Sequence, residues 1–348
     1  MKLGTPPVRL GARHLSRHFT VRSSGRFSRT ARSVRAVDDV TLDLVSGRVT
    51  AVVGESGSGK SVLAKMLARI VTPTSGELLL GDQVIAPRAK RILEYAAQVQ
   101  LVLQDPFSSL NPVHPIHHCL SRPLRIHGTP RERVDEMARG ALERVALNPP
   151  ERFLDRYPHE LSGGQLQRVS IARALCVRPG VLLADEPISM LDVSVRLGIL
   201  NLLRGLCDSE DLAVMYITHD IASARYLADD TIVMYAGQIV ERSLGTALVD
   251  EPTHPYTQLL VASVPDPTAT GTKFTASGEH SNTVTPDVGC RFAPRCRYAM
   301  EVCRRESPPE VEVAPGHSSR CWLHEPQRVG AKDQESLTLR RKGAPLAT

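Results

Sequence analysis

An α/β protein built around a buried parallel sheet is predicted by three stretches of the sequence. In the first, the apolar run Val49-Thr50-Ala51-Val52-Val53 leads into Gly54-Glu55-Ser56-Gly57-Ser58-Gly59-Lys60-Ser61. Residues 61–71 follow, with Leu63, Met66, Leu67 and Ile70 on one helical face. In the second, Val181-Leu182-Leu183-Ala184 ends in Asp185-Glu186, and in the third, residues 212–217 end in Thr218-His219-Asp220. Short apolar runs closed by polar residues are what strands buried on both faces require. Open α/β sheets gather ligands at the C-terminal ends of such strands.

The first stretch meets the phosphate-binding pattern G-x-x-x-x-G-K-[ST] at every fixed position, in the strand–turn–helix context that the pattern needs. Its glycines let backbone N–H groups close around a phosphate chain, and the helix N-terminus adds its positive dipole. Lys60 is expected to reach the β- and γ-phosphates and Ser61 to ligate Mg²⁺. Asp185 is expected to hold the Mg²⁺ shell, directly or through water. Glu186, one residue further, is placed to orient or deprotonate an attacking water. An Asp-Glu pair after an apolar run is common at helix starts, and it gains weight here from the phosphate loop earlier in the chain. His219, at a strand tip, is expected to hydrogen-bond a γ-phosphate or that water.

The remaining elements follow in order. Residues 8–20 read as a strand containing Phe19, whose ring is either a stacking surface for adenine or a core aromatic. Residues 21–35, rich in Ser, Gly and Arg, read as a hairpin excursion or loop, and 37–44 alternate as a half-buried strand does. A turn at 73–76 precedes a strand at 77–80, and residues 83–98 are helical or irregular. The strand at 99–103 delivers Gln104, and a polar loop with two prolines occupies 105–112. Residues 113–179 are expected to be helical with a break near Asn148-Pro149-Pro150. A closing hairpin joins 231–235 to 238–241 through Ala236-Gly237. Proline and serine at 264–288 mark a loose linker, and 326–348 is expected to be a disordered tail.

A chain of 348 residues with 42% hydrophobic and 23% charged residues makes two domains, or one large domain with an appendage, and has ample core. No apolar run approaches the roughly 18 residues of a membrane span. The net charge of +6 is unevenly spread: residues 1–37 hold nine basic residues and no acid, whereas 38–325 hold 29 basic against 35 acidic residues. The mildly acidic body argues against a protein that coats DNA. The basic N-terminal segment is a solvated loop or a face for anionic lipid headgroups. It has no apolar signal-peptide core, and the strand at 8–20 argues against a transit peptide, so the expected location is cytosolic.

Of seven cysteines, Cys119, Cys176 and Cys207 are scattered, while Cys290, Cys296, Cys303 and Cys321 fall within 32 residues. Disulfides are disfavoured in the cytosol. Four thiolates suit a [4Fe–4S] cluster or Zn²⁺, although the tight pairs usual for structural zinc are absent; free thiols are the third reading.

One further segment brings these pieces together. Leu161-Ser162-Gly163-Gly164-Gln165, with the phosphate loop, Gln104, Asp185-Glu186 and His219 in that order, resembles the ATP-binding cassette (ABC) proteins over nearly the whole chain. The resemblance implies a P-loop NTPase of the ABC type. Residues 1–250 would form its nucleotide-binding domain: a RecA-like core, an antiparallel β subdomain and an α-helical subdomain at about 105–178. A small Cys-containing extension at 251–325 and the tail at 326–348 would follow. Ser162 and the Gly163-Gly164 backbone start a helix and so make a second anion site. In this family that site closes on the γ-phosphate held by the other subunit, which buries ATP between two head-to-tail cassettes. By the same resemblance Gln104 senses Mg²⁺ and links the site to the membrane partner. Asp192, in Ser189-Met190-Leu191-Asp192, belongs to the loop that crosses the dimer, and Phe19 and Val62 join the nucleotide contacts.

Three segments are similar to the oligopeptide/dipeptide importers and their nickel and glutathione relatives. They are 104–112, His254-Pro255-Tyr256-Thr257, and Gly289-Cys290-Arg291-Phe292-Ala293-Pro294-Arg295-Cys296. Phe107-Ser108-Ser109 and the basic hairpin look more like the second ATPase of a pair than the first. The implied protein is a peripheral ATPase at the cytoplasmic face of the membrane, powering peptide import. Its implied partners are two transmembrane permease subunits, a second cassette in a hetero- or homodimer and, indirectly, an extracytoplasmic solute-binding protein; no nucleic acid is among them. Importer ATPases of this type are associated with a [4Fe–4S] cluster, which favours that reading of the four cysteines over Zn²⁺. Ile188, Met190 and Val62 depart from the residues common in the family, but none removes a group that touches phosphate. A chromosome-maintenance ATPase would need a long coiled coil and a cassette-type translation factor a second cassette. A non-hydrolysing module would be expected to lack Glu186 or His219.

Overall fold

The computed structural model describes residues 9–22, 31–85, 92–263 and 288–325. The chain opens with β1 (Arg9–Arg22) and β2 (Ala31–Val45), which pair antiparallel from Arg9↔Val45 to Arg22↔Ala31. Next come β3 (Val49–Val53), α1 (Lys60–Leu67), and the hairpin of β4 (Ser75–Leu80) and β5 (Gln83–Ile85). Then α2 (Ile92–Gln98) runs into β6 (Val99–Val102). A helical segment follows: α3 (Pro106–Ser109), α4 (Ile116–Ile126), α5 (Arg131–Arg144), α6 (Glu151–Leu154) and α7 (Gly163–Leu175). The chain returns through β7 (Val181–Asp185), α8 (Val193–Glu210), β8 (Ala213–Thr218), α9 (Ile221–Leu227), β9 (Asp230–Tyr235) and β10 (Gln238–Leu244). It closes with α10 (Ala247–Asp250), α11 (Pro255–Ala262), α12 (Glu301–Arg305), β11 (Val311–Ala314) and β12 (His317–Ser319).

Two sheets result. The smaller is antiparallel, in the order β2-β1-β4-β5, and the larger has the order β11-β12-β10-β9-β3-β8-β7-β6. In the larger sheet β3 lies parallel to both β8 and β9, and β7 lies parallel to both β8 and β6. The uninterrupted apolar runs serve this arrangement, since every residue of β3, β7 and β8 is buried. Alternation along β3 divides the core. Val49, Ala51 and Val53 pack with the helical segment, whereas Val52 packs with α1 and the small sheet.

Several boundaries differ from the sequence reading. Strand β2 begins at Ala31, because residues 31–35 of the expected excursion pair with β1; residues 23–30 lie outside the described residues. The irregular stretch at 83–98 contains the three residues of β5 and the helix α2. The linker, but for Val288, and the tail at 326–348 lie outside the described residues. Beyond residue 250 the chain rejoins the larger sheet: β12 pairs with β10 from Glu241↔Ser319 to Ser243↔His317, and β11 pairs with β12. At this seam the buried Glu241 carboxylate accepts hydrogen bonds from the N–H groups of Thr253 (2.8 Å) and His254 (2.9 Å). It also lies 2.7 Å from Nε2 of the buried His317.

Candidate nucleotide site

The loop from Gly54 to Gly59 leaves β3 and turns directly into α1. Gly59 stands at the helix N-cap with φ +102, and a Cβ there would lie 2.2 Å from the Ala36 carbonyl oxygen, so only glycine fits. No side chain caps α1, which leaves its first N–H groups open toward the cavity in front. Lys60 is buried. Its ammonium donates to the carbonyls of Gly54 (2.7 Å) and Glu55 (2.8 Å) and to Ser58 Oγ (3.3 Å). Burial lowers its pKa, opposed by the nearby carboxylates of Glu186, Asp185 and Glu55.

Strand β7 carries Asp185 to its tip, where the carboxylate accepts from Ser61 Oγ at 2.9 Å. Burial raises the Asp185 pKa, the Ser61 hydrogen bond lowers it, and Glu186 raises it further. Two oxygens 2.9 Å apart, one hydroxyl and one carboxylate, fit a hard cation such as Mg²⁺. Glu186 has φ 48, and its N–H donates to the Ile217 carbonyl at 3.0 Å. That carboxylate accepts from Gln104 Nε2 (3.1 Å) and lies 3.3 Å from His219 Nδ1. Gln104 also reaches Ser189 Oγ at 3.4 Å.

These groups surround a cavity of about 790 Å³ lined by Glu55 to Gly57, Gly59 to Val62, Gln104, Glu186 and His219. Ala36 on β2 and Leu260 and Ser263 at the end of α11 complete its wall. Phe19 is not among the lining residues; the guanidinium of Arg17 lies over its ring at 4.6 Å. The cavity can hold a polyanion between an ammonium and a row of backbone amides, beside a carboxylate supported by an amide and an imidazole.

Leu161 to Gln165 lie elsewhere. Ser162 caps α7: its Oγ accepts from Gln165 N (3.3 Å), while Gln165 Oε1 accepts from Ser162 N (3.1 Å). Gly164 is required by close packing, since a Cβ would meet Val195 Cγ1 of α8 at 2.5 Å. Asp192 stands at the N-cap of α8, where its carbonyl accepts from Val195 N and Arg196 N. None of these residues lines the phosphate-loop cavity.

Cys290, Cys296, Cys303 and Cys321 form no disulfide and line one small apolar void together with His254, Phe292 and Trp322. Burial pushes the Cys290 thiol up to about 11 and raises that of Cys321 as well. Among the described residues, no three His, Cys, Asp or Glu side chains are arranged to hold a single metal ion. The four thiols around one void do have the number and chemistry that an iron–sulfur cluster requires.

Comparison with known proteins fits this geometry. The "ABC transporter" family model matches residues 37–189 and the "Oligopeptide/dipeptide transporter, C-terminal region" model matches 240–303. The probable peptide ABC transporter ATP-binding protein y4tS of Sinorhizobium fredii is 40% identical over 90% of this chain and 89% of its own length. The chain belongs to the ABC transporter ATP-binding proteins. Other relatives of this cassette ATPase are the oligopeptide transport ATP-binding protein AppF of Bacillus subtilis and the di/tripeptide transport ATP-binding protein DppF of Pseudomonas aeruginosa. AppF is 38% identical over 90% of this chain and 97% of its own length; DppF is 42% identical over 86% and 93%. Among solved structures, the dimeric post-hydrolysis state of the ATP-binding cassette MJ0796 bound to ADP and Pi matches with a TM-score of 0.58 and 26% identity. It covers 68% of this chain and 98% of that one. The cassette of cbiO1 from Clostridium perfringens matches with a TM-score of 0.60 at 26% identity, over 70% and 90%. No helix among the described residues of this ATPase is long and apolar enough to cross a membrane.

The sequence reading missed three supports of the site. Ser189 and Tyr256 lie in segments it had singled out for other reasons, and Arg295 lies between two of the cysteines. Only their positions within otherwise recognised motifs could have marked them.

Proposed function

We propose that this ATPase powers the import of di- or oligopeptides from the cytoplasmic face of a membrane, working with two permease subunits and a second cassette. The observation that carries the reading is the Glu186 carboxylate, held by Gln104 and beside His219, facing the cavity over Lys60 and Ser61. ATP would lie with its phosphates on the loop amides and Lys60. Ser61, Asp185 and Gln104 would hold Mg²⁺, which supplies neutralisation of phosphate charge when bound. Glu186 takes the proton of the attacking water, Gln104 and His219 keep its carboxylate aimed, and His219 also faces the γ-phosphate. Ser162 with Gly163 and Gly164 serves the phosphate of the partner cassette, in keeping with their separation from this chain's own cavity. Peptide as the transported solute is supported by the names of the relatives and by the C-terminal family model.

In vesicles holding this chain, its permeases and a second cassette, Glu186→Gln is expected to retain ATP binding. Hydrolysis and tripeptide uptake should fall by about 10²–10⁴-fold. Unchanged turnover would place the base elsewhere.

The four cysteines would hold a [4Fe–4S] cluster, whose contribution is a cross-link among loops of the extension. Binding must first deprotonate thiols that burial keeps protonated, so loading should release protons. Anaerobic purification should give a brown protein with equal iron and acid-labile sulfide. A colourless protein with stoichiometric zinc would overturn this assignment.

A further inference from the structure

Glu55 occupies the first variable position of the phosphate loop, and each of its polar groups is committed. Its carboxylate is gripped by both terminal nitrogens of Arg295, at 2.8 and 2.9 Å. Its N–H donates to Tyr256 Oη at 2.8 Å, and its carbonyl accepts from Lys60 Nζ at 2.8 Å. Two of these three anchors come from beyond residue 250, 201 and 240 positions along the chain.

The anchors are themselves held firmly. The Arg295 guanidinium lies 5.8 Å from the ring centroids of both Tyr235 and Phe292, and Tyr256 packs 4.6 Å from Tyr235. Four residues before Arg295, the buried Arg291 donates to the Ala236 carbonyl and pairs with Asp38. The N–H of the adjacent Gly237 donates to Ser58 O at 2.9 Å, so the β9–β10 turn that Arg291 holds also touches the far end of the loop. A bidentate arginine–carboxylate pair is directional as well as strong, and lysine cannot reproduce it.

We infer that Arg295 and Tyr256 are positioning residues for nucleotide binding: through Glu55 they fix the conformation in which the phosphate loop and Lys60 meet ATP. Neither touches Glu186, Gln104 or His219, which come from other strands, so the extension acts on affinity rather than on the hydrolytic step. The inference rests on the reading of the cavity as the ATP site.

The test uses a fluorescent ATP analogue for binding to the full-length chain, and phosphate release by that chain assembled with its permeases and second cassette for turnover. Arg295→Gln should weaken nucleotide binding and raise KM for ATP about tenfold or more, with kcat at saturation within about twofold of the parent. Arg295→Lys should restore only part of the loss. Glu55→Gln, which leaves Arg295 in place, should reproduce the effect. The double variant should be no worse than either single, because one interaction is being removed twice. Tyr256→Phe should give a smaller loss in the same direction. Undiminished affinity in folded Arg295→Gln and Glu55→Gln proteins, or strictly additive losses in the double variant, would overturn the inference. Failure of the parent chain to bind nucleotide would instead count against the cavity assignment.

Discussion

Two helix N-termini in this molecule, those of α1 and α7, are finished in opposite ways. The start of α1 has no side-chain cap, a glycine in a left-handed conformation, and a buried lysine bonded to the loop's own carbonyls. The start of α7 closes on itself through the reciprocal Ser162–Gln165 bonds. The first is left open and must be propped by distant parts of the chain, Glu55 by Arg295 and Tyr256 among them. The second needs no props and lies away from the cavity where the first sits. Openness at α1 therefore goes with support from distant parts of the chain, and self-capping at α7 with bonds supplied within three residues.

Breaking the first end should have the largest effect. Lys60→Ala is expected to abolish nucleotide binding measured by fluorescence titration, because it removes an ammonium buried against the loop. Normal turnover in that variant would contradict the whole reading of the cavity. Breaking the second end should act differently. Ser162→Ala is expected to leave nucleotide affinity of the isolated chain near the parent value while lowering turnover of the assembled transporter by about 10²-fold. It should cost about 1 kcal/mol of stability from the lost cap. Equal losses of affinity in both variants would erase the distinction.

The smallest effect concerns the props. His254 is fully buried, and its Nδ1 accepts from the N–H of Tyr256 at 3.0 Å, so the ring has to be neutral there. Burial lowers its pKa to about 4 from the usual 6.5, with Glu241 opposing and His324 reinforcing the shift. The unfolded chain takes up this proton at the higher pH. Its contribution to stability is complete above about pH 6.5 and fades as pH falls toward 4, by on the order of 2–3 kcal/mol. Thermal melts at pH 7.5, 6 and 5 should show a falling midpoint, and His254→Asn should flatten that trend.

The parts of the site legible in the sequence were those written as contiguous words. The phosphate loop and the Asp185-Glu186 pair each carry their chemistry within a few residues, and apolar runs marked their strands. Strand β2 was cut short because Arg32, Ser33 and Arg35 interrupt the apolar alternation, although their backbone pairs with β1. Strands β11 and β12, of four and three residues, are too short for any period to register. The Glu55–Arg295 pair spans 240 positions, and nothing local to either residue announces the other. Phe19 was legible only as one of two alternatives, a stacking surface for adenine or a core aromatic; its ring carries Arg17 and does not line the cavity.

The pairing of β12 onto β10 has a consequence for how the chain can be divided. Were the polypeptide trimmed after α11, β10 would become a raw sheet margin with its N–H and C=O groups unmatched. Glu241 would also lose its imidazole neighbour, and an unmatched sheet margin favours self-association over a clean smaller unit. What reads along the sequence as an appendage is, in the folded molecule, the selvedge that keeps the fabric from fraying.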